Sequence, residues 1–199
     1  MYNWRKMSKG QQQEVLQLRG QHGWPAHSPP HFNSDGWTHY HLSAACFEHV
    51  PIIGQTAGRI MSFSALLCSV LGQTGDTVFA WCVLPNHWHA LVGTNDLKRV
   101  LKRIAQMHGK SSFEWNGDDH ARGRQCWHCC SDRRIRSENH FHATRNYIHH
   151  NPVKHGYVKK WDDWALSSAR DYLDTVGKEE ALSFWREYPV LGMGDKWDV

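Results

Sequence analysis

Leu84-Pro85-Asn86-His87-Trp88-His89-Ala90-Leu91-Val92 is the stretch on which the fold depends. If residues 87–92 form a strand, His87 and His89 share one face, and Trp88, Ala90 and Val92 point to the other. Residues 76–84 just upstream are apolar on both faces, which suits a central strand. Pro85-Asn86 then turns the chain, so the two segments make a hairpin whose second strand opens on the histidine pair. Two imidazoles side by side on one strand are half of a metal site. Two hydrogen-bonded core histidines would look the same.

Upstream, residues 37–47 also read as a strand and carry a second His-x-His, His39 and His41. Spacing alone therefore cannot mark a site. Residues 56–71 have apolar side chains at helical period, with Gly72 as a stop. Downstream, residues 95–108 form an amphipathic helix, capped by Thr94 or Asn95. Its apolar stripe is Leu97, Val100, Leu101, Ile104 and Ala105, and its opposite face holds Lys98, Arg99, Lys102 and Arg103. No acidic residue offsets that face after Asp96, which favours contact with phosphates over a merely solvated surface.

Residues 109–137 read as a basic loop containing Arg122, Arg124, Arg133, Arg134 and Arg136. Its Cys126-Trp127-His128-Cys129-Cys130 suits a short buried strand better than zinc, because a second pair at suitable spacing is missing. Residues 137–150 are a helix with Ser137 as N-cap and Glu138 in the first turn, and Pro152 should end it at or just after Asn151. On that helix Tyr147 and Asn151 are i and i+4 and lie on one face. A loop with a short helix (161–172) and a last amphipathic helix (178–188) follow.

With 199 residues and 40% hydrophobic content, the chain can bury one full core. The expected divisions are a polar, partly irregular arm (1–36, with a helical turn or two at 12–18), a main domain (37–171), and a C-terminal helix and tail (172–199). The net charge of +4 fits a polyanionic partner. Residues 1–23 lack the apolar core of a signal peptide, and no run reaches the roughly 18–20 apolar residues of a spanning helix. No membrane partner is expected. The six cysteines show no disulfide framework, and three sit singly in apolar segments, which implies a reduced, cytoplasmic setting.

The two motifs together, Leu84-Pro85-Asn86-His87-Trp88-His89 and Tyr147-Ile148-His149-His150-Asn151-Pro152-Val153-Lys154-His155-Gly156-Tyr157-Val158, resemble the REP-associated tyrosine transposases. These belong to a wider group of His-hydrophobic-His single-strand endonucleases with one catalytic tyrosine, which includes small insertion-sequence transposases. The resemblance covers residues 37–170. It implies an α+β, ferredoxin-like antiparallel sheet with helices packed on one face, and nicking and rejoining of single-stranded DNA beside a hairpin. By position it implies Tyr147 as nucleophile and His87, His89 and Asn151 as ligands of Mg²⁺ or Mn²⁺. Imidazoles favour transition ions and the amide a hard one, so manganese suits the mixed set better. The first pair, His39 and His41, does not match the metal motif and reads as structural or at most DNA-facing.

Such a set is chemically competent. A divalent ion on two imidazoles and an amide oxygen keeps open positions for phosphate oxygens. Tyrosine attack gives a 5′-phosphotyrosine and a free 3′-OH, and the step can be reversed to join strands. A phenol with an ordinary pKa of roughly 10 needs a base or a positive field. His149, His150 or His140 could supply the base, and His149 or His150 could replace Asn151 as ligand. The expected DNA contacts are Lys98, Arg99, Lys102, Arg103, Arg133 and Arg134. Relatives of this kind act as monomers or homodimers. The alternatives are a domesticated hairpin-binding protein with little catalysis, and a small zinc protein built on Cys126, Cys129 and Cys130.

Overall fold

The structure is a computed structural model that describes residues 8–21, 36–73 and 77–190. The chain divides into two compact units. Of the smaller, the described part is one helix, α1 (Lys9–Gln21), longer than the turn expected at 12–18. The prolines of the expected arm and the tail from residue 191 lie outside the described residues.

The larger unit, Asn33–Val190, follows the order β1 (Thr38–Ala45), α2 (Ala57–Gly72), β2 (Thr77–Val83), β3 (His87–Thr94), α3 (Leu97–Asp118), β4 (Ser131–Arg134). The sheet runs β2-β3-β1-β4, with every neighbour antiparallel. This is the expected ferredoxin-like α+β arrangement. Three helices follow: α4 (Glu138–Lys154), α5 (Ala169–Val176) and α6 (Lys178–Glu187).

Strand alternation sorts the side chains into two layers. Tyr40, Leu42, Ala44, Trp88, Ala90 and Val92 enter one core with Phe63 and Leu67 of α2 and Val100, Ile104 and Met107 of α3. Each such large side chain contributes about 1.5–3 kcal/mol by leaving water. Pairing of Ser43 with His89, Ala45 with His87 and His41 with Leu91 puts those residues on the opposite face. There α4 adds a further layer, packed on β2 and β3. Every residue of β3 is buried, so a slip of one residue would drive the two imidazoles into the α2/α3 core and Trp88 under α4.

Four local readings are corrected. Helix α3 does not stop near His108 but runs ten residues further, to Asp118. Gly109 costs about 1 kcal/mol in a helix interior, but the buried stripe continues through Ser111 and Trp115. Its N-cap is Asp96, which accepts a bond from the Arg99 amide at 3.0 Å, rather than Thr94 or Asn95. Helix α4 carries on through Pro152 to Lys154. The proline removes a single intrahelical bond, and Gly156 (φ 73°) then takes the left-handed conformation that closes a helix. The short strand of this region is Ser131–Arg134, not the cysteine cluster; Trp127 forms only an isolated bridge with Cys46.

Among the described residues, no helix is long and apolar enough to cross a membrane.

Candidate active site

The site lies between the imidazole face of the sheet and α4. His87 opens β3 because Pro85-Asn86 reverses the chain immediately before it. That turn is seated tightly. The Gly54 amide donates to the Pro85 carbonyl at 2.9 Å, and a β-carbon at Gly54 would collide with that of Pro85. Only glycine allows this approach. On the other side, Glu48 and His49 hold left-handed backbone (φ 53° and 56°), and the His49 carbonyl accepts from Asn86 Nδ2 at 3.3 Å. With Nδ2 so used, Asn86 Oδ1 faces His87 Nδ1 at 2.8 Å. Oδ1 can only accept, so His87 carries its proton on Nδ1. Its Nε2 lone pair then points at Asn151 Oδ1, 2.8 Å away.

Two lone pairs facing each other at that distance repel unless a proton or a cation lies between them, or the Asn151 amide turns its Nδ2–H toward the ring. Ligand atoms at right angles around an octahedral ion with bonds of about 2.1 Å lie about 3 Å apart. The His87–Asn151 geometry therefore fits a shared divalent ion. Asn151 is fully buried, and its Nδ2 has no hydrogen-bond partner among the described residues. His89 sits beside His87 with ring centroids 5.0 Å apart. Among the described residues, no three His, Cys, Asp or Glu side chains form a metal-holding group. The polar groups gathered at this point are two imidazoles and one amide.

Tyr147 packs its ring edge-on to His89 at 5.3 Å and is only 2% exposed. Two cations attend it. Lys154 Nζ lies 5.3 Å from the ring centroid. Arg133 projects from β4 on the same face as His41, its strand partner. Burial lowers the Arg133 pKa, and the charge of an ionised Tyr147 acts the other way, so the two groups sense each other. A cation beside the phenol favours its ionised, nucleophilic form.

The remaining expected residues lie elsewhere. His149 faces the C-terminal segment, with Nε2 3.0 Å from Ser168 Oγ and its ring stacked on Trp161 at 5.8 Å. Burial drives its pKa to about 3, so it stays neutral. The His150 ring lies against Trp185 at 5.1 Å. His140 Nδ1 accepts from the Arg136 amide at 3.3 Å, just before α4. Lys98, Arg99, Lys102 and Arg103 line the outer, exposed surface of α3, across the sheet from Tyr147. Arg134 alternates with Arg133 and points to that same far side. Cys126 Sγ donates to Asn116 Oδ1 at 3.2 Å, while Cys129 is exposed and burial pushes the Cys130 thiol up to about 12. These thiols join no metal-holding group among the described residues.

Three site neighbours were not placed in the site by the sequence reading. His41 Nε2 is 3.1 Å from His89 Nδ1, Asn86 anchors His87, and the His155 ring lies 4.9 Å from His87. Asn86 was legible as the polar neighbour of His87. His41 was set aside as a duplicate of the spacing.

No family model matches the chain, and no curated protein matches it. Solved structures do, two of them transposases. One is a REP-associated tyrosine transposase bound to a REP hairpin, with a TM-score of 0.56, 18% identity, and coverage of 71% of this chain and 82% of that one. The other is a candidate transposase from Deinococcus radiodurans R1, with a TM-score of 0.41, 15% identity, and coverage of 65% and 95%. The chain shares its fold with the first. Its chemistry has to be argued from the site.

Proposed function

We propose that the chain is a metal-dependent, single-stranded DNA endonuclease and strand transferase acting beside DNA hairpins. The supporting observation is that His89, against which Tyr147 packs, also lies beside His87, whose Nε2 meets Asn151 Oδ1 of the same helix as Tyr147. The shared fold with a transposase that was solved on a REP hairpin points to the same substrate class. Mg²⁺ or Mn²⁺ held by His87, His89 and Asn151 would polarise the scissile phosphate.

The chain's own groups do the rest. Tyr147 Oη attacks phosphorus, the Oη–P bond forms and the P–O3′ bond breaks. The phenolic proton leaves with ionisation and ends on the departing 3′-oxygen. The product is a 5′-phosphotyrosine, which stores the bond for rejoining. Arg133 and Lys154 favour the phenolate by charge. His149, held neutral against Ser168, is a weaker candidate for the base than either cation is for the activator.

One observation favours a second reading, a hairpin-binding protein with little catalysis. Tyr147 is almost wholly buried, so a phosphate reaches it only if a covering side chain such as Lys154 moves. The test is to mix the full chain with hairpin-bearing single-stranded DNA and Mn²⁺ and to run a denaturing gel. A covalent adduct lost in Tyr147→Phe is expected. An adduct that persists in that variant overturns the nucleophile. Hairpin binding without adduct in any divalent ion establishes the second reading.

A further inference from the structure

His39 and His41 have the same spacing as His87 and His89, but the fold separates their tasks. His39 packs its ring against Phe79 and Phe141, each at 5.1 Å, as an ordinary member of an aromatic cluster. His41 is 4% exposed and lies one diagonal step from His89 in the β1–β3 ladder. Ser43, the direct partner of His89, is small and leaves room for the His41 ring to lean across. The result is a contact of 3.1 Å between His41 Nε2 and His89 Nδ1, with ring centroids 5.1 Å apart and tilted by 39°. The His41 ring also meets the Tyr147 ring edge-on at 5.9 Å.

A neutral imidazole has one N–H and one lone pair. A histidine that binds a metal through one nitrogen donates from the other to an outer partner, which fixes tautomer and ring orientation. His87 has that partner in Asn86, through its Nδ1. His89 meets His41 through the same atom. We propose that His41 is a positioning residue. By accepting the Nδ1–H of His89 it keeps the lone pair of His89 on Nε2, the ring nitrogen that would face a divalent cation. His41 then carries its own proton on Nδ1. The inference rests on the metal reading above and concerns the second ligand's outer partner. Each ligand imidazole of β3 is thus braced through Nδ1, one by an amide of the turn just before the strand and one by a histidine of the neighbouring strand.

The test measures Mn²⁺ binding to the full chain by electron paramagnetic resonance, without DNA. Replacing His41 by Leu should weaken Mn²⁺ binding about 10–100-fold. His41→Gln, whose side-chain oxygen can accept the same proton, should recover most of it, and His39→Leu should leave it unchanged. Wild-type affinity in folded His41→Leu, or equal weakness of the Leu and Gln variants, overturns the proposal. If the Leu variant does not fold, ¹⁵N chemical shifts of His89 in the wild-type protein read the tautomer directly. A proton on Nδ1 supports the assignment, and a proton on Nε2 overturns it. Failure of the underlying reading looks different. If His87→Ala binds Mn²⁺ as wild type does, or wild type binds none, the metal site falls and the His41 role falls with it. Binding that His87→Ala loses and His41→Leu keeps sinks the His41 role alone.

Discussion

The two faces of the sheet each bury histidine and treat it in opposite ways. On the α3 side, His108 receives the indole N–H of Trp88 at 3.1 Å and stacks flat on Trp127, with centroids 4.1 Å apart and planes 14° off parallel. Its one acceptor is filled by a group that can only donate, and burial drives its pKa to about 3. On the α4 side, His41, His87 and His89 meet imidazoles, an amide oxygen and a phenol ring. Those partners can point lone pairs inward, where a cation would satisfy them. A buried histidine is therefore structural or functional according to what its neighbours can donate, and the spacing that places it says nothing on that point.

The sharpest way to break this contrast is to truncate one histidine on each face. His87→Ala should lower Mn²⁺-dependent adduct formation by about 10³-fold, the several kcal/mol that a metal contributes to a phosphoryl transition state. Its melting temperature should move little. His108→Ala should do the reverse, costing stability through a core cavity while the folded fraction keeps its adduct rate per molecule. If His87→Ala instead unfolds the protein and spares the rate, both faces are structural and the active-site assignment falls.

A second contrast concerns charge. Arg133 is on the Tyr147 side, whereas Lys98, Arg99, Lys102 and Arg103 are on the far side. Arg133→Ala should slow adduct formation on saturating DNA, because it removes a cation beside the phenol. Neutralising the four α3 residues should leave that rate alone. It should instead weaken DNA binding and flatten its salt dependence, by roughly 0.7 in the log–log slope for each lost phosphate contact to a single strand. An unchanged slope in a binding titration would mark the α3 face as merely solvated.

The hairpin of β2 and β3, the two core helices and the Tyr147–Asn151 spacing were legible because each is a local periodicity. Pro152 and Gly109 misled for the same reason. Each is a strong local stop signal, and the packing of Ser111 and Trp115, or the loss of only one bond in a last turn, outweighed it. β4 was invisible because Ser131-Asp132-Arg133-Arg134 has no apolar alternation and pairs only as an edge with β1. The place of His41 beside His89 was invisible for a deeper reason. Its contact with His89 depends on the register between two strands 48 residues apart in sequence, which no window of sequence contains. The proposed metal-ligand set rested on local motifs, while the proposed brace of His89 came from topology.

The smallest effect tests the far face alone. His108 has its pKa lowered from 6.5 to about 3 by burial. The unfolded chain therefore binds a proton that the folded chain refuses over that range. Stability from this residue is intact above about pH 6.5 and falls as pH drops toward 3. One pH unit below the unfolded value the loss is about 1.4 kcal/mol. His108→Gln keeps an acceptor for the Trp88 indole and removes the titration. Its urea-unfolding free energy should fall less than that of wild type between pH 7 and pH 5.5, by about that amount. His149, also near 3, stays in both proteins and cancels in the difference. Identical pH slopes would mean that His108 gains its proton without unfolding, and the contrast between a sealed face and a cation-seeking face would lose its sealed half.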